Sequence, residues 1–297
     1  MPMVEVEGRR LKLSNLDKVL YPETGTTKAE VIDYYARVAP VMVPHVRNRG
    51  VTLRRFPDGV EGNSFFEKRC PSHRPDWLST VLGPGDRRGG IDYCCLDSTP
   101  ALVWAANMAG LEIHAPMAYG DDIDSPAICV FDLDPGAPAA IRECAEVALD
   151  IRHALDGLGL EAFPKTSGSK GMQVYVPLNS PHTHEQCSAF AQAIAQLLER
   201  AAPDAVTSTM AKAVRPGKIF VDWSQNSRHK TTVAVYSLRA RPQPTVSTPL
   251  SWDEVEAGSS GKDPLVFLMA DVLARVDAHG DLFAPVATME QHLPKIA

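Results

Sequence analysis

The sequence of 297 residues lacks several features that would place it in a specialised class of protein. No run approaches about 18 consecutive apolar residues, the length that a membrane-spanning helix needs. The first residues contain no apolar segment of the kind that a secretory signal carries, so we expect a cytoplasmic protein with no membrane partner. Repeats and low-complexity segments are absent, and 44% apolar with 22% charged residues is typical of a chain that buries a large core.

Cysteine is scarce and irregularly spaced. The six cysteines form no regular disulfide framework, and in a cytoplasmic protein we expect reduced thiols. Cys70 and His73 could begin a zinc site, but the adjacent Cys94 and Cys95 lack the spacing that lets two thiolates chelate one tetrahedral ion. A zinc site is therefore disfavoured.

The charge of the chain is unevenly distributed. Residues 1–75 carry a net charge of +4, residues 76–161 carry −11, residues 162–245 carry +6 and residues 246–297 carry −5. Binding of a polyanion depends on local potential and not on the overall charge of −6. An acidic centre between basic flanks suits metal-dependent chemistry on a phosphate-rich substrate, although ordinary variation along a protein surface gives similar sums.

Helical and strand periods alternate along the chain, which predicts an α/β (α+β) fold. Helices are predicted over about 27–43, 100–108, 138–155, 182–200 and 263–277, and strands over 51–56, 127–133, 161–165, 172–177, 218–223 and 231–236. We expect one domain over residues 1–297, with an N-terminal module to about residue 115 and a larger module over about 116–297.

Three aspartates occur in strand-like runs. Asp132 and Asp134 alternate with apolar residues, so both project to the same side of a strand that Pro135 ends. Two carboxylates so close repel each other unless a cation lies between them, and hard divalent ions prefer oxygen ligands. Asp222 lies in another apolar run and could be a third ligand. Solvated strand ends or helix caps would explain the same residues.

The segment Lys165–Gly171 combines two glycines and two serines with lysines between two predicted strands. Glycines allow backbone amides to approach an oxyanion, and Lys170 adds positive charge. The spacing of a Walker A loop is absent, and a flexible hairpin turn is the alternative. Lys18 and Lys28 could grip a terminal phosphate, and Phe65 with Phe66 could stack a base or simply pack in a core.

These segments together resemble a known family. The ordered motifs are DKVLYP (17–22), GTTK (25–28), FFEK (65–68), FDLDP (131–135), TSGSKG (166–171), VDWSQN (221–226) and SLRAR (237–241). They resemble the polymerase domain of the bacterial ATP-dependent DNA ligase D, of the archaeo-eukaryotic primase superfamily, over about residues 10–285. The resemblance implies the archaeo-eukaryotic primase fold, in which an RRM-like catalytic sheet packs with a smaller N-terminal α/β module.

The resemblance also implies roles for individual residues. Asp132, Asp134 and Asp222 match the catalytic, metal-binding carboxylates. The matches to nucleotide-binding positions are Ser167, Lys170, His114, Arg215, Gln225 and Arg239. Asn15, Lys18 and Lys28 match a pocket for the 5′-phosphate of a downstream DNA strand, and Phe65 and Phe66 match aromatics that stack near the template. Gln173 replaces a histidine of the family, which puts one expected triphosphate contact in doubt because glutamine carries no charge.

The function implied by the resemblance is template-directed nucleotidyl transfer that favours ribonucleotides and uses two divalent ions, Mn²⁺ or Mg²⁺. The expected substrates are nucleoside triphosphates, NTP or dNTP, and DNA gaps or ends bearing a 5′-phosphate. The expected setting is non-homologous end joining, with an ATP-dependent DNA ligase and Ku as partners of a monomer at the nucleoid. Short-gap filling in excision repair, a metal-dependent nuclease and a non-catalytic DNA-end-binding module are the alternatives.

Neither a K-x-D-G ligase motif nor room for a phosphoesterase domain is present in the sequence. This leaves an excised domain and a stand-alone polymerase as alternatives. The start of the chain and its trailing LPKIA segment favour the stand-alone polymerase as our expectation.

Overall fold

The computed structural model describes residues 2–85 and 89–295. Its contacts divide the chain into two compact units. The first comprises residues 1–121, 231–247 and 267–281, and the second comprises residues 122–230, 248–266 and 282–297. The division predicted at about residue 115 lies near residue 121, where the first unit gives way to the second. The prediction assigned residues 231–247 and 267–281 to the second module, whereas they belong to the first unit. The grouping of both modules into one domain stays a prediction.

Both units contain helices and short strands. The helices are α1 (Lys28–Val46), α2 (Thr99–Asn107), α3 (Ile141–Asp156), α4 (His184–Ala201), α5 (Trp252–Ser259) and α6 (Met269–His279). The strands are β1 (Met3–Val6), β2 (Arg9–Lys12), β3 (Val19–Tyr21), β4 (Thr26–Thr27), β5 (Thr52–Arg55), β6 (Phe65–Glu67), β7 (Thr80–Gly83), β8 (Ile91–Cys94), β9 (Gly110–Pro116), β10 (Ala118–Tyr119), β11 (Asp122–Pro126), β12 (Ile128–Pro135), β13 (Phe163–Thr166), β14 (Met172–Pro177), β15 (Val206–Thr207), β16 (Ile219–Asp222) and β17 (Thr231–Val233). Each predicted helix and strand overlaps one of them.

The first unit is built on a four-stranded antiparallel sheet with the order β17-β9-β5-β6. Helix α1 packs against α2 and α6. Its start is set by a capping box, in which the Thr27 hydroxyl accepts from the Glu30 amide and the Glu30 carboxylate accepts from the Thr27 amide. The buried face of α1 includes Val31, Tyr34 and Tyr35, as the helical spacing predicts. Among the described residues, no helix is long and apolar enough to cross a membrane.

The second unit contains a five-stranded sheet with the order β13-β14-β12-β16-β15. All neighbours are antiparallel except β15 and β16, which run parallel. Apart from the two-residue strand β15, the chain passes through β12, α3, β13, β14, α4 and β16, a β-α-β-β-α-β order. In the sheet, β12 lies between β14 and β16. The arrangement is that of an RRM-like sheet, so the predicted fold class is confirmed. Helices α3 and α4 pack against β12.

A disulfide joins Cys70 and Cys94, whose Cα atoms are 4.8 Å apart. The expectation of six reduced thiols was therefore wrong for this pair. Pairing of β8 in a hairpin with β7, and a hydrogen bond of 2.7 Å from the Cys70 amide to the Asp92 carbonyl, bring the two residues together across 24 positions. The other four cysteines are free and buried. The bond also removes both thiols from any zinc site.

Candidate functional site

Two of the three predicted aspartates face each other in the second unit. In the antiparallel pair of β12 and β16, Asp132 is the register partner of Asp222. Directly opposite residues place their side chains on the same face of a sheet, and Asp134, two residues along β12, shares that face. The sheet therefore brings together the three carboxylates that the sequence suggested as one group.

Burial and the proximity of these carboxylates raise the pKa values of two of them, Asp132 and Asp134. Burial, together with the charges of Asp134 and Asp222, raises the pKa of Asp132 to about 7, against the opposing effect of a hydrogen bond from Gln173. Loss of hydration and the charge of Asp222 raise the pKa of Asp134, while Arg215 and Lys230 act to lower it. The cluster therefore repels its own negative charge and would be stabilised by a cation.

The carboxylates are also held by neighbouring side chains. Asp222 accepts hydrogen bonds from the amide of Ser224, at 3.0 Å, and from its hydroxyl. In the part of the chain that the structure describes, no three His, Cys, Asp or Glu side chains are arranged to hold a metal ion as they stand. The three aspartates nevertheless offer only oxygen ligands, and their negative charges repel each other. Hard divalent ions prefer such ligands.

A row of polar side chains runs across the sheet from Asp132. Lys165 on β13 is the register partner of Gln173 on β14, and Gln173 is the partner of Asp132 on β12. Lys165 Nζ donates to Gln173 Oε1 at 2.6 Å, and Gln173 Nε2 donates to Asp132 Oδ1 at 3.0 Å. The lysine is 0% exposed. Gln173 therefore uses both ends of its amide within the sheet.

The serine- and glycine-rich loop lies against β12. The Ser167 hydroxyl accepts from the amides of Ser169 and Gly171 at 3.3 and 3.1 Å, which shapes the turn, and Gly168 has a φ of +67°. A Cβ on Gly171 would lie 2.1 Å from the carbonyl oxygen of Leu133, the residue between the two aspartates of β12. The loop is thus beside the carboxylates, with Lys170 exposed.

Arg215 and Gln225 lie in the same unit as the carboxylates. Arg215 stacks 3.6 Å over the Phe220 ring and donates to the Met210 carbonyl at 2.6 Å. Among the residues described, its Nε and the Oε1 of Gln225 are buried without a hydrogen-bond partner, so both are candidates for ligand contacts. Sequence reasoning missed Asn226, whose side chain bonds both backbone groups of Val130 at 2.8 Å and fixes this segment to β12.

His114 and Arg239 lie in the first unit and share a partner that sequence reasoning missed. Glu112 is 2% exposed, and its carboxylate lies 3.0 Å from His114 Nε2 and 3.3 Å from Arg239 Nε. It also accepts from the Ala240 amide at 3.0 Å. Although burial acts to raise the pKa of Glu112, the His114 hydrogen bond and the charge of Arg239 lower it to about 2. No pattern in the sequence marked Glu112, because its burial and its partners become visible only in the fold.

Phe65 and Phe66 are exposed to 45% and 58% on the edge strand β6. The alternative that they pack in a core was therefore wrong. The Phe66 ring lies 5.8 Å from the His114 ring, and the Arg54 guanidinium lies 5.5 Å from the Phe66 centroid. Exposed rings beside cations can stack bases of a nucleic acid.

The predicted phosphate pocket groups three residues of the first unit. Asn15 is exposed in a left-handed turn with a φ of +51°, and its carbonyl accepts from the Lys18 amide. Lys18 pairs with Asp58 at 3.0 Å, whereas Lys28 is 5% exposed and donates to the Ser14 carbonyl at 2.6 Å. Burial and the charge of Lys18 lower the pKa of Lys28 to about 8. Two repelling cations beside polar donors favour an anion.

Comparison with known proteins identifies the family. The model of the protein family described as "LigD, primase-polymerase domain" matches residues 27–283 of the chain. The chain belongs to the LigD primase-polymerase family. Its fold is similar to that of the polymerase domain from Mycobacterium tuberculosis ligase D, solved in complex with DNA, with a TM-score of 0.88 and 42% identity over 95% of this chain and 99% of that one.

Longer relatives carry the same region as one part. The multifunctional non-homologous end joining protein LigD of Mycolicibacterium smegmatis is 47% identical over 281 residues, which are 93% of this chain and 36% of the relative. The bifunctional non-homologous end joining protein LigD of Bacillus subtilis is 31% identical over 274 residues, which are 91% of this chain and 43% of the relative. The chain thus spans about two fifths of the length of these relatives.

Proposed function

We propose that this chain is a template-directed DNA/RNA polymerase that adds nucleotides to a 3′-hydroxyl and releases pyrophosphate in non-homologous end joining. LigD primase-polymerase domains are metal-dependent nucleotidyltransferases, and relatives at 31% and 47% identity are named for end joining. The observation that carries the proposal is the register pair Asp132 and Asp222, with Asp134 on the same face.

Asp132, Asp134 and Asp222 would hold two divalent ions, Mn²⁺ or Mg²⁺, which lower the pKa of the attacking hydroxyl and neutralise charge on the triphosphate. The support for this assignment is the raised pKa of Asp132 and of Asp134, because burial and mutual repulsion together disfavour three bare carboxylates. In the second unit, Ser167, Lys170, Arg215 and Gln225 would bind the nucleotide. For the first unit, we propose His114 and Arg239 as nucleotide-binding residues.

The DNA substrate would be a gap or an end bearing a 5′-phosphate. Asn15, Lys18 and Lys28 would bind this phosphate, since a buried lysine with a lowered pKa gains an anion as its partner. Exposed Phe65 and Phe66 would stack near the template. We also propose that the monomer works in the cytoplasm at the nucleoid, beside an ATP-dependent DNA ligase and Ku, and that it favours ribonucleotides.

The test is primer extension across a short gap with a 5′-phosphorylated downstream strand. Ribonucleotides are compared with deoxyribonucleotides, and Mn²⁺ with Mg²⁺, for the wild-type chain and for Asp134→Ala. We expect extension that favours ribonucleotides. The rate should fall at least about 1,000-fold in Asp134→Ala, because the variant lacks one of the carboxylates that would hold the ions which stabilise charge in the transition state. DNA binding, measured by fluorescence anisotropy, stays within about 2-fold.

The matched control is Asp156→Ala, which removes an exposed aspartate at the end of α3 that pairs with Arg152 at 3.8 Å. This variant keeps the wild-type rate, since exposed pairs of this kind contribute little. Extension by Asp134→Ala at the wild-type rate would refute the assignment of the carboxylates. DNA consumed without added nucleotide would identify a nuclease instead.

A further inference from the structure

The row formed by Lys165, Gln173 and Asp132 contains one residue that has no assigned role. Lys165 is fully buried, and its ammonium lies 5.3 Å from the Tyr175 ring and 2.6 Å from Gln173 Oε1. Burying an ammonium group costs free energy unless the group is paired or hydrogen-bonded. Its position next to the Asp132 carboxylate therefore suggests a role in the site.

The chemistry of the lysine fixes the direction of the glutamine amide. An ammonium only donates hydrogen bonds, whereas an amide can present either its oxygen or its nitrogen. With Lys165 on one side, Gln173 must turn Oε1 toward it and Nε2 toward Asp132. Gln173 therefore donates to Oδ1 of Asp132 at 3.0 Å and leaves Oδ2 outside this bond.

We propose that Lys165 is a positioning residue that acts through Gln173 to orient the Asp132 carboxylate for nucleotidyl transfer. This inference rests on the proposed function. It also explains how glutamine can replace the histidine expected at position 173. A neutral imidazole likewise accepts a hydrogen bond on one nitrogen and donates one from the other. Either glutamine or histidine at position 173 can therefore accept from Lys165 and donate to Asp132.

The direct test measures the Gln173 side chain and not activity. In metal-free protein, the ¹⁵N–¹H signals of the Gln173 amide are assigned by their loss in Gln173→Leu. We expect hydrogen exchange of this amide to accelerate at least about 10-fold in Lys165→Met, because the amide is no longer held. The control Lys262→Met, an exposed lysine of the same unit, leaves it unchanged. Unchanged exchange in Lys165→Met would overturn the proposal, whether or not the chain polymerises.

Kinetics provide the second measurement. Lys165→Met and Gln173→Leu should each lower kcat about 10-fold with the nucleotide KM within 2-fold, and the double variant should fall no further. Gln173→His should keep kcat within about 3-fold. If Lys165→Met does not fold, Gln173→Glu still tests the idea, because it keeps a partner for Lys165 but turns an acceptor toward Asp132. Wild-type kcat in Gln173→Glu, or additive losses in the double variant, would contradict the relay.

Discussion

Asp132 and Asp222 are partners in the register of β12 and β16, although 90 positions separate them in the sequence. Each is held from a different side, Asp132 by Gln173 and Asp222 by Ser224. Strand pairing thus forces two like charges together while separate hydrogen bonds fix their directions. A site built in this way is less stable when both are ionised, and it gains stability when a cation arrives.

Asp132→Asn should therefore stabilise the metal-free protein at neutral pH. The folded-state pKa of Asp132 is raised to about 7, so ionisation disfavours the fold as pH rises from about 4 to 7. We expect a gain of about 2 kcal/mol at pH 8 that becomes small near pH 4 and disappears below about pH 3, where the carboxyl is protonated in both the folded and the unfolded state. Urea unfolding in a chelator across this pH range measures it.

Two comparisons complete this experiment. Asp156→Asn, at an exposed position, should show no pH-dependent gain. Added Mn²⁺ should stabilise the wild-type chain and have little effect on Asp132→Asn, because the variant lacks one ligand. A gain that is the same at pH 4 and pH 8 would show that repulsion in the cluster is not its cause.

The sequence predicted the parts of this site that depend on local order. Alternation along β12 placed Asp132 and Asp134 on one side, and the capping-box pattern at Thr27 and Glu30 marked the start of α1. Strand pairing is not local, so the sequence suggested Asp222 as a third ligand but did not predict that it lies opposite Asp132. The Cys70–Cys94 bond was missed for the same reason.

The phosphate pocket predicts a pH-dependent substrate preference. Lys28 has its pKa lowered to about 8, so its ammonium is lost as pH rises past this value unless a bound phosphate holds the proton. The advantage of a 5′-phosphorylated gap over a 5′-hydroxyl gap should therefore fall about 10-fold between pH 7 and pH 9.5. Extension assays on both substrates across this range measure the ratio.

Lys18→Ala should abolish most of this advantage already at pH 7, since it removes the exposed cation of the pocket. Lys12→Ala, at an exposed lysine on β2, is the matched control and should keep the wild-type ratio. If Lys18→Ala left the ratio of extension on the two gaps unchanged, this pocket would not be the site that binds the 5′-phosphate.

Strand β9 was not predicted, and it contains the buried Glu112. A carboxylate in a central strand argues against burial, yet Glu112 is compensated by His114, Arg239 and the Ala240 amide. These partners come from β9 itself and from a segment more than 120 positions away. Sequence patterns carry no signal for such compensation, so the strand and its acid became visible only in the fold.

Glu112→Gln should impair nucleotide binding by freeing His114 and Arg239. We expect the nucleotide KM to rise about 10-fold and the free energy of unfolding to fall by about 3 kcal/mol, because the largely buried Arg239 guanidinium loses its counter-charge. Glu67→Gln, which breaks the 3.1 Å pair with Arg55 on the neighbouring strand, should lower stability but keep KM. Equal effects of both variants on KM would argue against a specific role of Glu112.

Gly171→Ala tests whether the serine-rich loop must lie against β12. The added Cβ would lie 2.1 Å from the Leu133 carbonyl oxygen, a backbone atom that cannot move without displacing Asp132 and Asp134. We expect a loss of about 1–3 kcal/mol in stability and at least a 10-fold loss in kcat/KM. Gly157→Ala is the matched control, because its Cβ would have no neighbour closer than 3.5 Å. If Gly171→Ala lost stability but kept kcat/KM, the loop would be a structural turn, and the nucleotide phosphates would have to be bound elsewhere.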